Sequence, residues 1–270
     1  MLNGKGPFRF RVDTGANGSV VAAEVIAALG APILGERLVY GTTGVATLAF
    51  ANVGRLTAGT VTRRNLPVSI APPGAVMRSD GILGADIFAG QRLVFDMRAR
   101  QVELLNSNAI RFRDPRPRNM HLRNGMLAEV AGTVGGIPVR LMLDTGADVC
   151  IVNPALYALL RRSGLDARRF GPGTIIGVTG HQVTGDFVAL PAVKFAGLTL
   201  GDALAVAADV PIFGVWGLDS DPAMIVGVDV FSKLSRCVFD YSRKRFDAFV
   251  LGPGAGSGVQ IARTGLGGPA

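Results

Sequence analysis

The sequence predicts an all-β chain built as two tandem halves, and three observations predict it. The run Phe10-Arg11-Val12-Asp13-Thr14-Gly15-Ala16 returns as Leu141-Met142-Leu143-Asp144-Thr145-Gly146-Ala147, each time a strand-like segment delivering Asp-Thr-Gly. Farther on in each half, Gly81-Ile82-Leu83-Gly84-Ala85-Asp86-Ile87-Phe88 returns as Met224-Ile225-Val226-Gly227-Val228-Asp229-Val230-Phe231. Short runs of Val, Leu, Ile and Phe are broken by 37 glycines and 15 prolines, the punctuation of many short strands.

The repeat is what gives these motifs weight. A lone Asp-Thr-Gly is a short pattern with a real chance of arising at random. Here the two aspartates lie 131 positions apart, and the same offset carries Gly4 onto Gly135, Pro7 onto Pro138 and Arg9 onto Arg140. Two independent signatures in one order, twice, mark an internal duplication.

In order and spacing the motifs resemble the retropepsin-like aspartic proteases, in a bacterial, single-chain form with two tandem Asp-Thr-Gly repeats, and more distantly the two-lobed pepsins. The resemblance covers most of residues 1–251. It implies two acid-protease β-barrel halves related by a pseudo-twofold axis, with an active-site cleft between them and Asp13 and Asp144 meeting as a catalytic dyad. It also implies that Thr14 and Thr145 hydrogen-bond across that axis, while Gly15 and Gly146 let the backbone approach the carboxylates. Pepsin-like lobes often carry Ser after the glycine, where its hydroxyl can stabilise an ionised carboxylate. Ala16 and Ala147 stand there instead, so a less acidic optimum is expected.

Composition is compatible with this reading. With 270 residues, 49% hydrophobic content and mean hydropathy +0.37, the chain can bury one or two sizeable cores. No run reaches the roughly 18 apolar residues of a membrane span. The net charge of +8 rests on scattered arginines, densest at Arg111, Arg113, Arg116, Arg118 and Arg123, and no nucleic-acid partner is inferred from it. Cys150 and Cys237 are too few for a disulfide scaffold, and a buried free thiol is the commonest state of such residues. Nothing in the sequence decides whether they pair.

Residues 1–105 are read as the first half, 106–125 as an Arg/Pro-rich linker, 126–251 as the second half and 252–270 as a flexible Gly-rich tail. In the second half Met126–Val134 and Val139–Leu143 are expected to form a hairpin across Gly135-Gly136. The first half begins almost at the equivalent turn, Asn3-Gly4-Lys5-Gly6. One strand is therefore expected to be missing through a truncated or misassigned start, with Phe8–Val12 left as an exposed edge. A periplasmic or exported location is suggested by the resemblance alone.

Ser19-Val20-Val21 and Cys150-Ile151-Val152 continue the repeat, followed by helix-like segments Ala22–Leu29 and Pro154–Arg162, where Pro154 suits a first turn. Next come Gly41-Thr42-Thr43-Gly44 and Gly177-Val178-Thr179-Gly180, expected as hairpin tips. They are either ordinary surface hairpins or, as the resemblance implies, flaps closing over substrate. The second half is longer between its motifs, the excess falling near Asp209–Pro222; this stretch either shapes specificity or is a loop packed by the single Trp216. Asp86 and Asp229 are expected as helix caps rather than catalysts. Ile110 and Phe112, alternating with charged residues, could mark a strand joining the halves.

The chemistry follows from the paired carboxylates. Hydrolysis without a metal needs a base to activate water and an acid to protonate the leaving nitrogen. At about 3 Å and an effective dielectric near 20, two carboxylates repel by roughly 5 kcal/mol, so one proton is shared between them over a wide pH range. Rival machinery lacks parts. His121 and His181 stand in no zinc motif, and no Gly-x-Ser-x-Gly or phosphate-binding glycine run occurs.

The expected protein is an aspartic endopeptidase with no cofactor and no metal. It acts on a peptide or protein substrate in extended conformation, as a monomer with an intramolecular pseudo-dimer. Two further readings stay open: a catalytically inactive peptide-binding module of the same fold, and halves that pair between chains.

Overall fold

Each half spends its apolar runs on the same pairing scheme. The computed structural model describes residues 1–76, 79–105, 119–165, 168–201 and 203–250. The first half runs β1 (Phe10–Val12), β2 (Val20–Ala22), α1 (Ala23–Leu29), β3 (Ile33–Gly41), β4 (Gly44–Ala58), β5 (Val61–Ala71), β6 (Gly81–Leu83), α2 (Ala85–Phe88), β7 (Arg92–Asp96) and β8 (Gln101–Leu105). After β9 (His121–Arg123) come β10 (Leu127–Val134), β11 (Ile137–Leu143), β12 (Cys150–Val152), α3 (Pro154–Arg162), β13 (Arg169–Ile176) and β14 (Gln182–Leu190). The chain continues with β15 (Val193–Phe195), β16 (Leu198–Leu200), β17 (Ala203–Ala207), α4 (Ile212–Val215), β18 (Ala223–Val226), α5 (Val228–Phe231), β19 (Arg236–Asp240) and β20 (Arg245–Phe249). The fold is thus β-rich with short helices rather than strictly all-β.

In the first half β1 runs parallel to β6, β2 parallel to β5, and β2 antiparallel to β6. In the second half β11 runs parallel to β18, β12 parallel to β17, and β12 antiparallel to β18. The scheme is the same. The neighbours differ: β11 also pairs with β10, whereas β1 lies at the edge of its six-stranded sheet. The β10–β11 hairpin turns at Gly135 and Gly136, with φ of 58° and 87°, the left-handed pair that a two-residue turn between twisted strands requires.

Local signals place α3 where the sequence puts it. Pro154 opens its first turn, the Asn153 side chain accepts a hydrogen bond from the Leu156 amide, and Arg161 and Arg162 close its last turn. Leu156 and Leu160 lie on its buried face.

The helix-cap expectation for Asp86 and Asp229 is corrected. Gly84 and Gly227 occupy the cap positions of α2 and α5, and neither helix has a side-chain cap. Asp86 instead accepts from the Ser19 hydroxyl at 2.7 Å and the Ser19 amide at 2.8 Å, anchoring the entry to β2. Asp229 accepts from the Cys150 thiol at 3.1 Å at the matching place, the start of β12. Both carboxylates are used for strand-to-helix docking, a contact over sixty residues of chain that local capping rules do not see.

What fastens the halves to each other is a four-stranded sheet ordered β20-β19-β7-β8, in which β7 of the first half runs antiparallel to β19 of the second. Arg92 and Asp240 face each other across it, both side chains fully buried, with Arg92 Nη2 and Nε donating to one carboxylate oxygen at 2.7 and 3.0 Å. One apolar core takes Val53, Phe88 and Leu93 from the first half and Leu141, Phe231 and Phe246 from the second. The strand expected between the halves at Ile110 and Phe112 lies outside the described residues, as do the arginines at 111, 113, 116 and 118 and the tail at 252–270.

The range read as linker holds β9, which pairs with β10. Glu129 on β10 is buried and is held by Arg123 of β9 at 2.6 Å and Arg140 of β11 at 2.8 Å, so its charge is compensated on both sides. The longer stretch of the second half forms α4 and buries Trp216 edge-on to Phe213, with ring centroids 6.1 Å apart. This is the packed alternative, and α4 also approaches β3 of the first half. Cys150 and Cys237 are both buried free thiols. No helix among the described residues is long and apolar enough to cross a membrane, which says nothing of β-barrels.

Candidate active site

The parallel neighbours β6 and β18 hold the two Asp-Thr-Gly turns in place, because the Asp13 amide donates to Leu83 O at 2.9 Å and the Asp144 amide to Val226 O at 3.0 Å. Each turn then folds back on its own carboxylate. Gly15 donates its amide to Asp13 Oδ1 at 2.8 Å; Gly146 does the same to Asp144 Oδ1 at 2.8 Å, joined by Ala147 at 3.2 Å.

Between the turns the bonds are reciprocal. The Thr14 hydroxyl donates to Leu143 O at 2.7 Å and accepts from the Thr145 amide at 3.1 Å. The Thr145 hydroxyl donates to Val12 O at 2.7 Å and accepts from the Thr14 amide at 3.2 Å. Both threonines are buried, so every polar atom of this bridge is matched and none is left to compete with water. The glycines complete the fit. A Cβ on Gly15 would fall 2.3 Å from Asp144 Cγ, and one on Gly146 would fall 2.2 Å from Asp13 Oδ2. Each glycine is therefore the surface against which the other half's carboxylate packs.

Asp144 is buried and Asp13 keeps a partial opening to solvent. Burial pushes both carboxyls above the ordinary value of 3.8, and for Asp13 the adjacent Asp144 charge pushes further in the same direction. Such a pair holds a proton that belongs to both residues. The arrangement can deliver one carboxylate and one carboxylic acid to the same point.

The expected hairpin tips are found and meet. Thr42-Thr43 turns between β3 and β4, while the second tip, Gly177-Val178-Thr179-Gly180, lies between β13 and β14. Thr43 donates its hydroxyl to His181 O at 2.8 Å, and Thr179 donates to Gly44 O at 3.4 Å. The Gly41 end of the first tip lies directly against the Thr179 side chain. His181 sits at the tip with its Nδ1 3.1 Å from Thr179 Oγ1, and His121 is exposed on β9. Among the described residues no group of three or more His, Cys, Asp or Glu could hold a metal.

One neighbour of the carboxylates was not anticipated. Arg11 reaches across the junction to donate to Gly146 O at 2.8 Å and pairs with Asp148 at 3.3 Å. A charge inside an apolar strand, two residues ahead of Asp13, was the signal available for it.

The sequence model of one protein family, described as aspartyl protease, matches residues 1–87 and 130–230, spans that hold both Asp-Thr-Gly turns. No curated protein matches the chain. A solved structure described as EIAV protease complexed with the inhibitor HBY-793 is 18% identical over 45% of this chain and 91% of that one, with a TM-score of 0.28.

Proposed function

The chain belongs to the aspartyl protease family, and from that premise we propose that it is an aspartic endopeptidase whose dyad is Asp13 and Asp144. The observation that carries the proposal is the reciprocal bonding of the two turns within one chain, Thr14 to Leu143 O and Thr145 to Val12 O. That reciprocity is what a pseudo-twofold axis through the junction would produce, and it supports an intramolecular dyad over halves paired between chains.

In the proposed reaction the ionised member of the pair takes a proton from a water held between the carboxylates. The water oxygen attacks the peptide carbonyl carbon. The protonated member supplies the proton that the leaving nitrogen needs as the C–N bond breaks. Thr14, Thr145, Gly15 and Gly146 hold the carboxylates rigid, so little reorganisation accompanies the step. The two hairpins act as flaps over an extended substrate lying in a cleft between the halves, which contributes strand-like backbone hydrogen bonds.

The test is cleavage of a diverse peptide mixture from pH 3 to 8 by the parent chain, Asp13→Asn and Asp144→Asn. Cleavage by the parent with both folded variants inert is expected. Loss in only one variant would break the one-dyad proposal. A folded parent that binds peptides without cutting them would make the protein a binding module.

A further inference from the structure

Contacts between the two Asp-Thr-Gly turns come in matched pairs with one exception, and the exception is charged. Arg11 Nη1 donates to Gly146 O at 2.8 Å and lies 3.3 Å from Asp148 Oδ1. The residue matching Arg11 in the second half is Met142, which is 2% exposed and packed in the apolar cluster with Ile151, Phe213 and Trp216. A thioether has no donor to return the contact. Along a strand, side chains two residues apart leave by the same face, so Arg11 flanks Asp13 as Met142 flanks Asp144. The first half therefore brings a half-exposed guanidinium to the junction where the second half has a buried thioether.

We propose that Arg11 is a positioning residue that ties the Asp144 turn to the first half through Gly146 and sets a positive charge beside the dyad on one side only. The proposal rests on the dyad assignment above. The tether acts at a sensitive point, because Gly146 is the residue whose Cα packs against the Asp13 carboxylate. Holding Gly146 O fixes that peptide, and with it the separation between the two carboxyls. The charge acts on both acids, for the guanidinium opposes the burial that raises Asp13 and Asp144. Besides those two carboxyls, Arg11 faces Asp148 beyond the second turn, and Tyr241, just after β19, has a buried hydroxyl that feels the Asp13 charge. Asp80, at the start of the neighbouring β6, is engaged by the Arg9 amide.

The experiment compares the parent chain with Arg11→Met, the residue the second half uses, and Arg11→Lys, by steady-state cleavage of one peptide substrate across pH. For Arg11→Met, kcat is expected to fall about tenfold, since small displacements of catalytic groups cost that much or more. KM is expected to stay within about twofold. Both limbs of the pH profile should move to higher pH, because removing a cation makes each deprotonation of the dyad harder. Arg11→Lys should return the limbs to the parental position without restoring kcat, because an ammonium replaces the charge but its shorter stem ends short of the Nη1 position that meets Gly146 O. An active parent whose Arg11→Met profile superimposes on its own overturns this inference alone. If Arg11→Met does not fold, Arg11→Lys decides: full kcat overturns the tether. A folded parent that cuts nothing at any pH overturns the dyad assignment and this inference with it.

Discussion

Gly15 and Asp144 belong to different halves of the chain, yet a single methyl group added to Gly15 would stand 2.3 Å from the Asp144 carboxyl carbon. The mirror relation holds between Gly146 and the Asp13 carboxyl carbon, also at 2.3 Å. The carboxylates are therefore positioned by the opposite half's backbone as much as by their own turn.

Gly15→Ala and Gly146→Ala are expected to reduce kcat/KM by at least about 10²-fold, since the carboxylate must move by an ångström or more. Overpacking should also lower stability by roughly 1–3 kcal/mol, read from the urea midpoint. Wild-type kinetics in either variant would show that the close approach is not needed.

Asp13→Asn is expected to stabilise the fold, and more so at pH 8 than at pH 4. The folded carboxyl sits above the ordinary 3.8, so the folded state holds the proton more tightly than the unfolded chain. Stability linked to that proton is complete below the unfolded value and is lost as pH rises through the folded one. An amide carries no such loss. Thermal midpoints at the two pH values should show a gain of roughly a few degrees at the higher one. A larger gain at pH 4 would reverse the sign of the argument.

Arg92→Met should destabilise the protein by about 3–5 kcal/mol, because it leaves Asp240 charged and fully buried. Adding Asp240→Asn is expected to recover more than half of that loss, as the amide oxygen can still accept from the Arg243 amide that Asp240 now holds at 3.0 Å. Denaturation of the two single variants and the double one measures the coupling. Additive losses would mean that the pair does not act as a unit.

Cys150→Ser should be neutral or stabilising by up to about 1 kcal/mol. The first half shows why: Ser19 gives Asp86 a 2.7 Å hydroxyl bond, whereas Cys150 gives Asp229 a 3.1 Å thiol bond. Asp229 Oδ2 is buried without a hydrogen-bond partner among the described residues. Burial raises the Asp229 carboxyl above its ordinary range, with the Cys150 contact working the other way. A stronger donor should lower it further, so the gain should be present near neutral pH and fade as pH falls through the Asp229 value. A loss of stability at pH 7 in urea denaturation would contradict this.

What depends on near neighbours is legible in the order of the amino acids. The turn at Gly135-Gly136 follows from two residues that tolerate positive φ, and α3 follows from Asn153, Pro154 and an apolar stripe. The repeat also made both aspartates and their threonines and glycines legible, because two copies of one local pattern need no three-dimensional knowledge to be matched. What each of those residues touches is fixed by the fold. Thr14 meets Leu143, Gly146 meets Asp13, Arg92 meets Asp240 and Arg11 meets Gly146, pairs separated by 129 to 148 positions. Asp86 and Asp229 were misread for the same cause, their partners Ser19 and Cys150 lying 67 and 79 positions away. A local pattern records which backbone conformation a segment prefers. The partners of a buried polar group are set by which strands end up side by side, and that is decided by the packing of the whole chain.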